Sequence, residues 1–389
     1  MISLNIFPYI IFFLCNLLLF FPLNNGNKII IYDKYKFIFF SIIIIYFIGF
    51  RGFIYSDWIS YYNAYIDTPT LFDKSKINKY FDSYNWEKGF LIYQIIIKTF
   101  TNNYFLFQSI SFIIDYLILY IFFKRYIPDY ILLGFIFYII FSGLGLSINL
   151  LRNSKSIMLF LLSIKYCYNK NILKYMIINI IGVFFHISSL LYIPLYFILN
   201  IRISKYLIFI LYVIGNMIFL LQLNWMKNIL FFIVSKINIQ RLTLITNIYL
   251  NSKEYSAGFG ITIGYLERQF TFLLVYIFVY KNIINQKRFN IFINLFYIYS
   301  FIYLYFSEIT IVLQRLPALF ICSYWILYPN IYKNISKNNK YLFLLFLIIY
   351  SFLRLNADSN NPLAYYDNFL TGYKTYEERV LIFNQFKNN

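Results

Sequence analysis

The chain has 389 residues, of which 61% are hydrophobic and 13% charged, with a formal net charge of +19. Apolar runs close to the roughly 20 residues of a spanning helix recur along it, which excludes a sizeable soluble domain and predicts an all-α polytopic membrane protein. The Lys and Arg residues sit mostly in short loops, and heavy use of Ile, Asn, Lys, Phe and Tyr is what an AT-rich coding sequence produces, so the charge is topology and not a nucleic-acid footprint.

Spanning helices are expected near 3–23, 36–50, 104–123, 129–148, 151–168, 203–221, 262–280, 289–306, 312–330 and 341–355. The first lacks a basic n-region and a small-residue cleavage site, so it is expected to be retained. Segment 87–100 is short and contains Gln94 and Lys98, which suits a re-entrant or interfacial helix. Segment 172–199 holds His186 and Pro194 and is expected to be a hairpin of two short legs with His186 near its apex. A 14-residue leg rises only about 21 Å, so the apex would lie in a recess below the outer surface. Cys15, Cys167 and Cys322 are far apart and read as packing residues.

With that hairpin, the loops 24–36, 124–128, 165–174, 200–205, 281–288 and 331–340 share one side and collect Lys and Arg, with Asp33 and the adjoining Asp129 against them. The positive-inside rule makes that side cytoplasmic. A single tilted helix over 172–199 would invert everything downstream. The outer side then receives 51–103, 149–155, the His186 apex, 222–261, 307–311 and the tail 356–389, all within one integral membrane domain spanning 1–389.

Three stretches could carry chemistry there. In "RGFIYSDWISYYNAY" a helix starting at Asp57 places Tyr61 and Tyr65 on the same face, where aromatic rings and a carboxylate suit a sugar. The structural alternative is an Asp57 N-cap, interfacial tyrosines and a snorkelling Arg51. In "INLLRNSKSIMLF" Arg152 and Lys155 lie three residues apart at the start of a helix, a receptor for a diphosphate or a pair of snorkelling end residues. In "FFHISSLLYIPLYF" His186, the single histidine, precedes Ser188 and Ser189 and could act as a base, a donor or a cap. A lone histidine without spaced carboxylates or cysteines makes no zinc site, and no metal or other cofactor is expected. Arg241 and Arg315 fall on the outer side, whereas Glu267, Arg268 and Asp115 suit interhelical pairing as well as catalysis. Nucleotide-binding loops, nucleophile elbows, HExxH and dinucleotide fingerprints are missing.

Taken in order, Arg51, Asp57 and Tyr61, then Arg152 with Asn153, then Phe185, His186 and Ser188, resemble the EpsG-like family of bacterial oligosaccharide repeat-unit polymerases, the Wzy class. "NPLAYYDNF", with Pro362 and Tyr365 or Tyr366, is similar to the family's Pro and Tyr segment. Tyr55 and Ser56 replace a glycine usual before the aspartate, and Asn153 stands where glutamine is common.

The resemblance implies a GT-C-like membrane glycosyltransferase working at the outer face of the cytoplasmic membrane of a bacterium. It would transfer a growing glycan from polyprenyl diphosphate to a hydroxyl of the next lipid-linked repeat unit, in O-antigen, capsule or exopolysaccharide synthesis. Its partners would be these lipid-linked oligosaccharides, the bilayer and a chain-length regulator. Such a reaction needs a base for the acceptor hydroxyl and positive charge on the departing diphosphate. Asp57 or His186 would take the proton, and Arg152, with Arg241 or Arg315, would hold the diphosphate. Arg51, Tyr61, Tyr65, Asn153, Lys155, Ser188 and Tyr365 would bind substrate. A flippase of the same lipids and an O-antigen ligase are the competing readings.

Overall fold

The computed structural model describes residues 7–20, 23–25, 28–30, 34–223, 225–237, 260–281, 287–309, 313, 315–357 and 360–388. Those residues are helical apart from turns, isolated bridges and one short antiparallel pair, Leu23–Asn25 with Lys28–Ile30. The chain divides into two units, 1–196 with 335–389, and 197–334.

In the first unit the helices are α1 Phe7–Phe20, α2 Lys34–Ile44, α3 Trp58–Asp67, α4 Lys74–Ser83, α5 Lys88–Phe100, α6 Tyr104–Tyr126, α7 Ile131–Tyr138, α8 Leu144–Ile148, α9 Leu151–Tyr168 and α10 Ile172–Val183, with Lys337–Ala357 and Tyr376–Asn388 after the second unit. Every segment expected to be a spanning helix is wholly or largely helical where it is described. By length and composition, only Tyr104–Tyr126 and Pro128–Ile148 suffice to cross a bilayer among the described residues, so about ten crossings go beyond what the helices themselves establish.

Local chemistry sets the boundaries. The Asn103 side chain accepts from the Phe105 and Leu106 amides and so caps α6, while Lys124 and Arg125 fill its last turn, favourable at the negative end of the helix dipole. The expected helix 129–148 is broken, because Phe141 (φ −105°, ψ 84°) and Ser142 (φ 65°) leave helical geometry and separate α7 from α8. Among the described residues, the expected helix 312–330 is likewise interrupted by a 3-10 turn at Pro317–Leu319, and regular helix resumes at Cys322. Proline supplies no N–H to the preceding turn.

Segment 172–199 is a hairpin. Helix α10 ends at Val183, and a 3-10 helix Ile187–Tyr192 returns beside it. The Tyr175 hydroxyl donates to the Tyr192 carbonyl at 2.6 Å, and Phe160 of α9 stacks on Tyr192 with ring centroids 3.8 Å apart. His186 sits at the turn, as its position between two apolar stretches predicts.

Helix α5 has two sides. Gln94 is fully buried and accepts from the Tyr80 hydroxyl at 3.0 Å, whereas Ile92, Ile96 and Phe100, four residues apart, are exposed along one face. An apolar face turned outward beside a buried polar residue is the pattern of an interfacial helix. The N-terminus of α5 meets the hairpin turn directly, since the Phe90 amide donates to the Phe184 carbonyl at 3.2 Å. A Cβ on Gly89 would lie 2.6 Å from that carbonyl oxygen.

Between α6 and α9 lies a buried ion pair. Lys155 Nζ is 2.7 Å from Asp115 Oδ1 and donates to the Ser111 carbonyl at 2.6 Å, while Ser154 Oγ donates to Asp115 Oδ2 at 2.9 Å. The C-terminal tail packs on the segment after α2 through Gly52 N to Asp367 O and Phe369 N to Phe50 O, with a buried Asp367–Arg379 pair at 2.8 Å.

The second unit contains Lys205–Leu220, Trp225–Ile237, Ile263–Tyr280, Lys287–Tyr305 and Cys322–Asn334. Glu267 and Arg268 find different partners, as their 100° separation on a helix requires. Thr271 Oγ1 donates to Glu267 Oε1, while Arg268 Nε donates to the Tyr299 hydroxyl and its guanidinium lies 4.0 Å from the Tyr303 ring centroid.

Two outcomes follow for thermal unfolding of the purified full-length chain. Lys155→Ala leaves Asp115 charged and unpaired in the interior, and is expected to cost about 3–5 kcal/mol, whereas the paired replacement Lys155→Met with Asp115→Leu costs far less. An unchanged midpoint in Lys155→Ala would show the pair to be dispensable. Gly89→Ala, which pushes α5 off the hairpin turn, is expected to cost about 1–3 kcal/mol as overpacking.

Candidate active site

In the first unit Arg152 meets the Trp86–Glu87 segment, and the His186 turn joins them through Glu87. Helix α9 begins at Leu151, directly after a break at Leu150, so the Arg152 side chain leaves the first helical turn. Its Nη1 donates to Glu87 Oε2 at 2.7 Å, and its guanidinium lies 4.8 Å from the Trp86 ring centroid. Trp86 and Glu87 immediately precede α5. The pair is partly exposed, with Arg152 at 24% and Glu87 at 19%, so solvent or a ligand can reach it. Arg152 Nε is buried and has no hydrogen-bond partner among the described residues.

Glu87 also reaches the hairpin. Its Oε1 accepts the Ile187 amide at 3.0 Å, one residue after His186. The Ser188 hydroxyl meets Asn153 Oδ1 at 3.1 Å, which ties the same turn to the first turn of α9. His186 caps the 3-10 helix: its Nδ1 accepts the Ser188 amide at 3.2 Å and lies 2.7 Å from Ser188 Oγ. With the ring proton on Nε2, Nδ1 accepts from Ser188; with it on Nδ1, the ring donates to Ser188 Oγ, which in turn donates to Asn153 Oδ1. In either tautomer Nδ1 is engaged by Ser188.

Asp57 enters from α3. Its amide donates to Asn149 Oδ1 at 3.0 Å and Ser56 Oγ donates to its carboxylate at 3.2 Å. The carboxylate does not cap α3, so the N-cap reading of Asp57 fails. Tyr61 lies one helical turn along from Asp57. Burial pushes its phenol pKa up, Arg152 opposes that through its charge and a hydrogen bond, and Asp57 reinforces it. Asp57 and Arg152 therefore act on the same hydroxyl.

Not every expected residue belongs here. Arg51 is 1% exposed, donating to the Ile48 carbonyl at 2.7 Å and the Ile148 carbonyl at 3.3 Å; it ties the helical turn Ile45–Gly49 that follows α2 to the end of α8 and does not snorkel. Burial pushes its pKa down to about 10, which leaves it charged at neutral pH. Tyr65 is fully buried, its hydroxyl donating to the Thr101 carbonyl at 2.7 Å and its ring stacked on Phe107. Tyr61 is nearly as buried, against Trp86 and Phe90. The expected aromatic sugar face on α3 is thus an inward face, because one side of an amphipathic helix must cover the core and these two rings are that side. Lys155 is turned into the interior toward Asp115 and away from any ligand-accessible surface. Tyr365 is in the tail, half-exposed, with Lys374 Nζ 4.6 Å and Arg379 Cζ 5.3 Å from its ring centroid. Arg315 is exposed in the second unit, and Arg241 lies outside the described residues.

Glu87 and Trp86 were not anticipated from sequence. A sequence signal existed: a carboxylate and an indole stand directly before the one short apolar run that resisted a spanning assignment.

Chemically, the arrangement combines a guanidinium with an unfilled buried donor, a carboxylate one helical turn from a shared phenol, and a histidine turn held by backbone and side-chain bonds. It can bind an anion at Arg152 while a carboxylate nearby accepts a proton. No curated protein and no solved structure matches the chain. The EpsG family model matches residues 34–370, and the chain belongs to the EpsG family.

Proposed function

We propose that this EpsG-family membrane protein is a metal-independent polymerase of polyprenyl-diphosphate-linked oligosaccharide repeat units, acting at the outer face of the bacterial cytoplasmic membrane. The observation that carries the reading is the partly exposed Arg152–Glu87 pair tied to the His186 turn, with Asp57 one helical turn from Tyr61, whose phenol feels the charges of both Asp57 and Arg152. A flippase path would instead require polar groups along a route across the bilayer.

In the proposed step, Asp57 accepts the proton of the acceptor hydroxyl as its oxygen attacks the anomeric carbon of the donor glycan. The bond from that carbon to the diphosphate oxygen breaks, and Arg152 stabilises the negative charge that collects on the leaving diphosphate. Asp57 is preferred to His186 as the base because His186 Nδ1 is already engaged by Ser188. His186 then shapes the site by capping the 3-10 helix that follows it. Glu87 is a positioning residue: it holds Arg152 and the Ile187 amide with its two oxygens. The GT-C-like architecture, the outward active face and the multi-pass topology belong to the same proposal.

Deletion of the gene in its host, with lipid-linked and surface polysaccharide sized on gels, tests the activity. Single repeat units accumulating on the outer side with loss of the long ladder is the expected result. Units trapped on the cytoplasmic side would make the protein a flippase, and long chains retained on their lipid would make it a ligase.

Complementation then tests the residues. Arg152→Lys keeps the charge but loses the planar fork and is expected to lose most of the activity; full activity would remove Arg152 from the diphosphate role. Asp57→Asn is expected to lower turnover about 10²- to 10⁴-fold, the usual contribution of a general base. His186→Gln is expected to lower turnover less; the reverse ranking would make His186 the base.

A further inference from the structure

The break between α7 and α8 borders a cavity in the first unit, of about 240 Å³. Its polar wall is formed by Tyr55, Ser142, Asn149 and Arg354. Phe13, Ile139, Leu144 and Leu355 supply apolar wall. Arg354 stands in the last turn of Lys337–Ala357, where it donates through Nη1 to the Ile140 carbonyl at 3.0 Å and through Nη2 to Ser142 Oγ at 3.4 Å. Each Nη carries a second N–H and Nε a fifth, so the guanidinium holds more donors than these contacts use.

The backbone around the cavity is strained in a localised way. Four non-glycine residues among those described have positive φ, and two of them, Tyr55 at 63° and Ser142 at 65°, line this one cavity. Such conformations cost on the order of 1–3 kcal/mol each and cluster where a ligand is held. The cavity also touches the catalytic side of the molecule, since Asn149, in its wall, accepts the Asp57 amide. Arg152 and Arg354 thus belong to two places, and Asp57 is connected to both, electrostatically to the first and through Asn149 to the second.

We propose that this cavity seats the phosphate headgroup of a second polyprenyl-linked molecule. Arg354 and Ser142 hold the anion, and the apolar wall takes the first prenyl unit. A volume of about 240 Å³ is below the roughly 300–1,000 Å³ of a complete small-molecule site, so the rest of the lipid remains in the bilayer. A polymerase joining two lipid-linked units must hold two such headgroups, and the identification of the lipid as a substrate rests on the function proposed above. The anion-plus-prenyl chemistry rests on the cavity alone.

The test uses the full-length chain in phosphatidylcholine nanodiscs, with native mass spectrometry counting bound farnesyl diphosphate, and farnesol and inorganic diphosphate as controls. Wild type is expected to bind two molecules. Arg354→Ala is expected to weaken one of them at least tenfold, and Arg152→Ala the other. Gly145→Leu gives a variant that cannot be dismissed as misfolded, because Gly145 lines the cavity and a Cβ there meets nothing within 4 Å. It fills the space while sparing Arg354, and is expected to lose the same molecule with an unchanged unfolding midpoint.

Two molecules bound at wild-type affinity by both Gly145→Leu and Arg354→Ala would overturn the proposal. So would inorganic diphosphate binding as tightly as farnesyl diphosphate, which would mean a free-phosphate site, or equal displacement by phosphatidylglycerol, which would mean a general anionic-lipid seat. If Arg354→Ala loses one molecule while Arg152→Ala keeps two, the cavity stands and the diphosphate role of Arg152 falls.

Discussion

The Glu87–Arg152 ion pair is the contact on which the rest of the site depends. It joins the start of α5 to the start of α9, and the second oxygen of the same carboxylate fixes the turn of the hairpin through the Ile187 amide. One side chain therefore sets the position of a guanidinium and of the loop that carries His186. Because the pair is about one-fifth exposed, its value to stability is modest, as for most solvent-accessible ion pairs. Its value lies in geometry: one carboxylate oxygen holds the guanidinium beside Trp86 while the other holds the hairpin turn.

The contrast with Lys155 is instructive. Arg152 and Lys155 are three residues apart on α9, yet one meets an exposed carboxylate at the mouth of the helix and the other is closed into the interior by Asp115, Ser111 and the ring of Tyr93, 5.4 Å away. The difference follows from depth. Near the helix start a cation can reach solvent, while one turn further in, it must bring its counter-charge with it.

The helices were legible in the sequence because long apolar runs carry their own period and length. α9 runs over 151–168 as expected, and the hairpin at 172–199 follows from a histidine and a proline between two short apolar stretches. The break at Phe141–Ser142 was not legible, since the residues around it, "YIIFSGLGL", keep a membrane-like composition through the kink. Asp57, Arg152, Asn153, His186 and Ser188 were found as separate motifs and the fold joins them. Glu87 was missed because its role is to pair with residues 65 and 100 positions away, and separations of that kind leave no local pattern. Tyr61 and Tyr65 were placed on the correct face of the correct helix, but composition could not say that this face points inward.

Helix α5 gives the site a mechanical connection to its surroundings. Thirteen residues make a rod of about 20 Å. Its leading end is preceded by Glu87, and its flank carries Ile92, Ile96 and Phe100 to the outside. If that flank floats in the boundary between headgroups and acyl chains, the lipid surface works as a ruler for the chemistry. The depth of Glu87, and with it that of Arg152 and the His186 turn, is then registered to the plane of the headgroups, so the site and any lipid-borne ligand share one reference height before they meet.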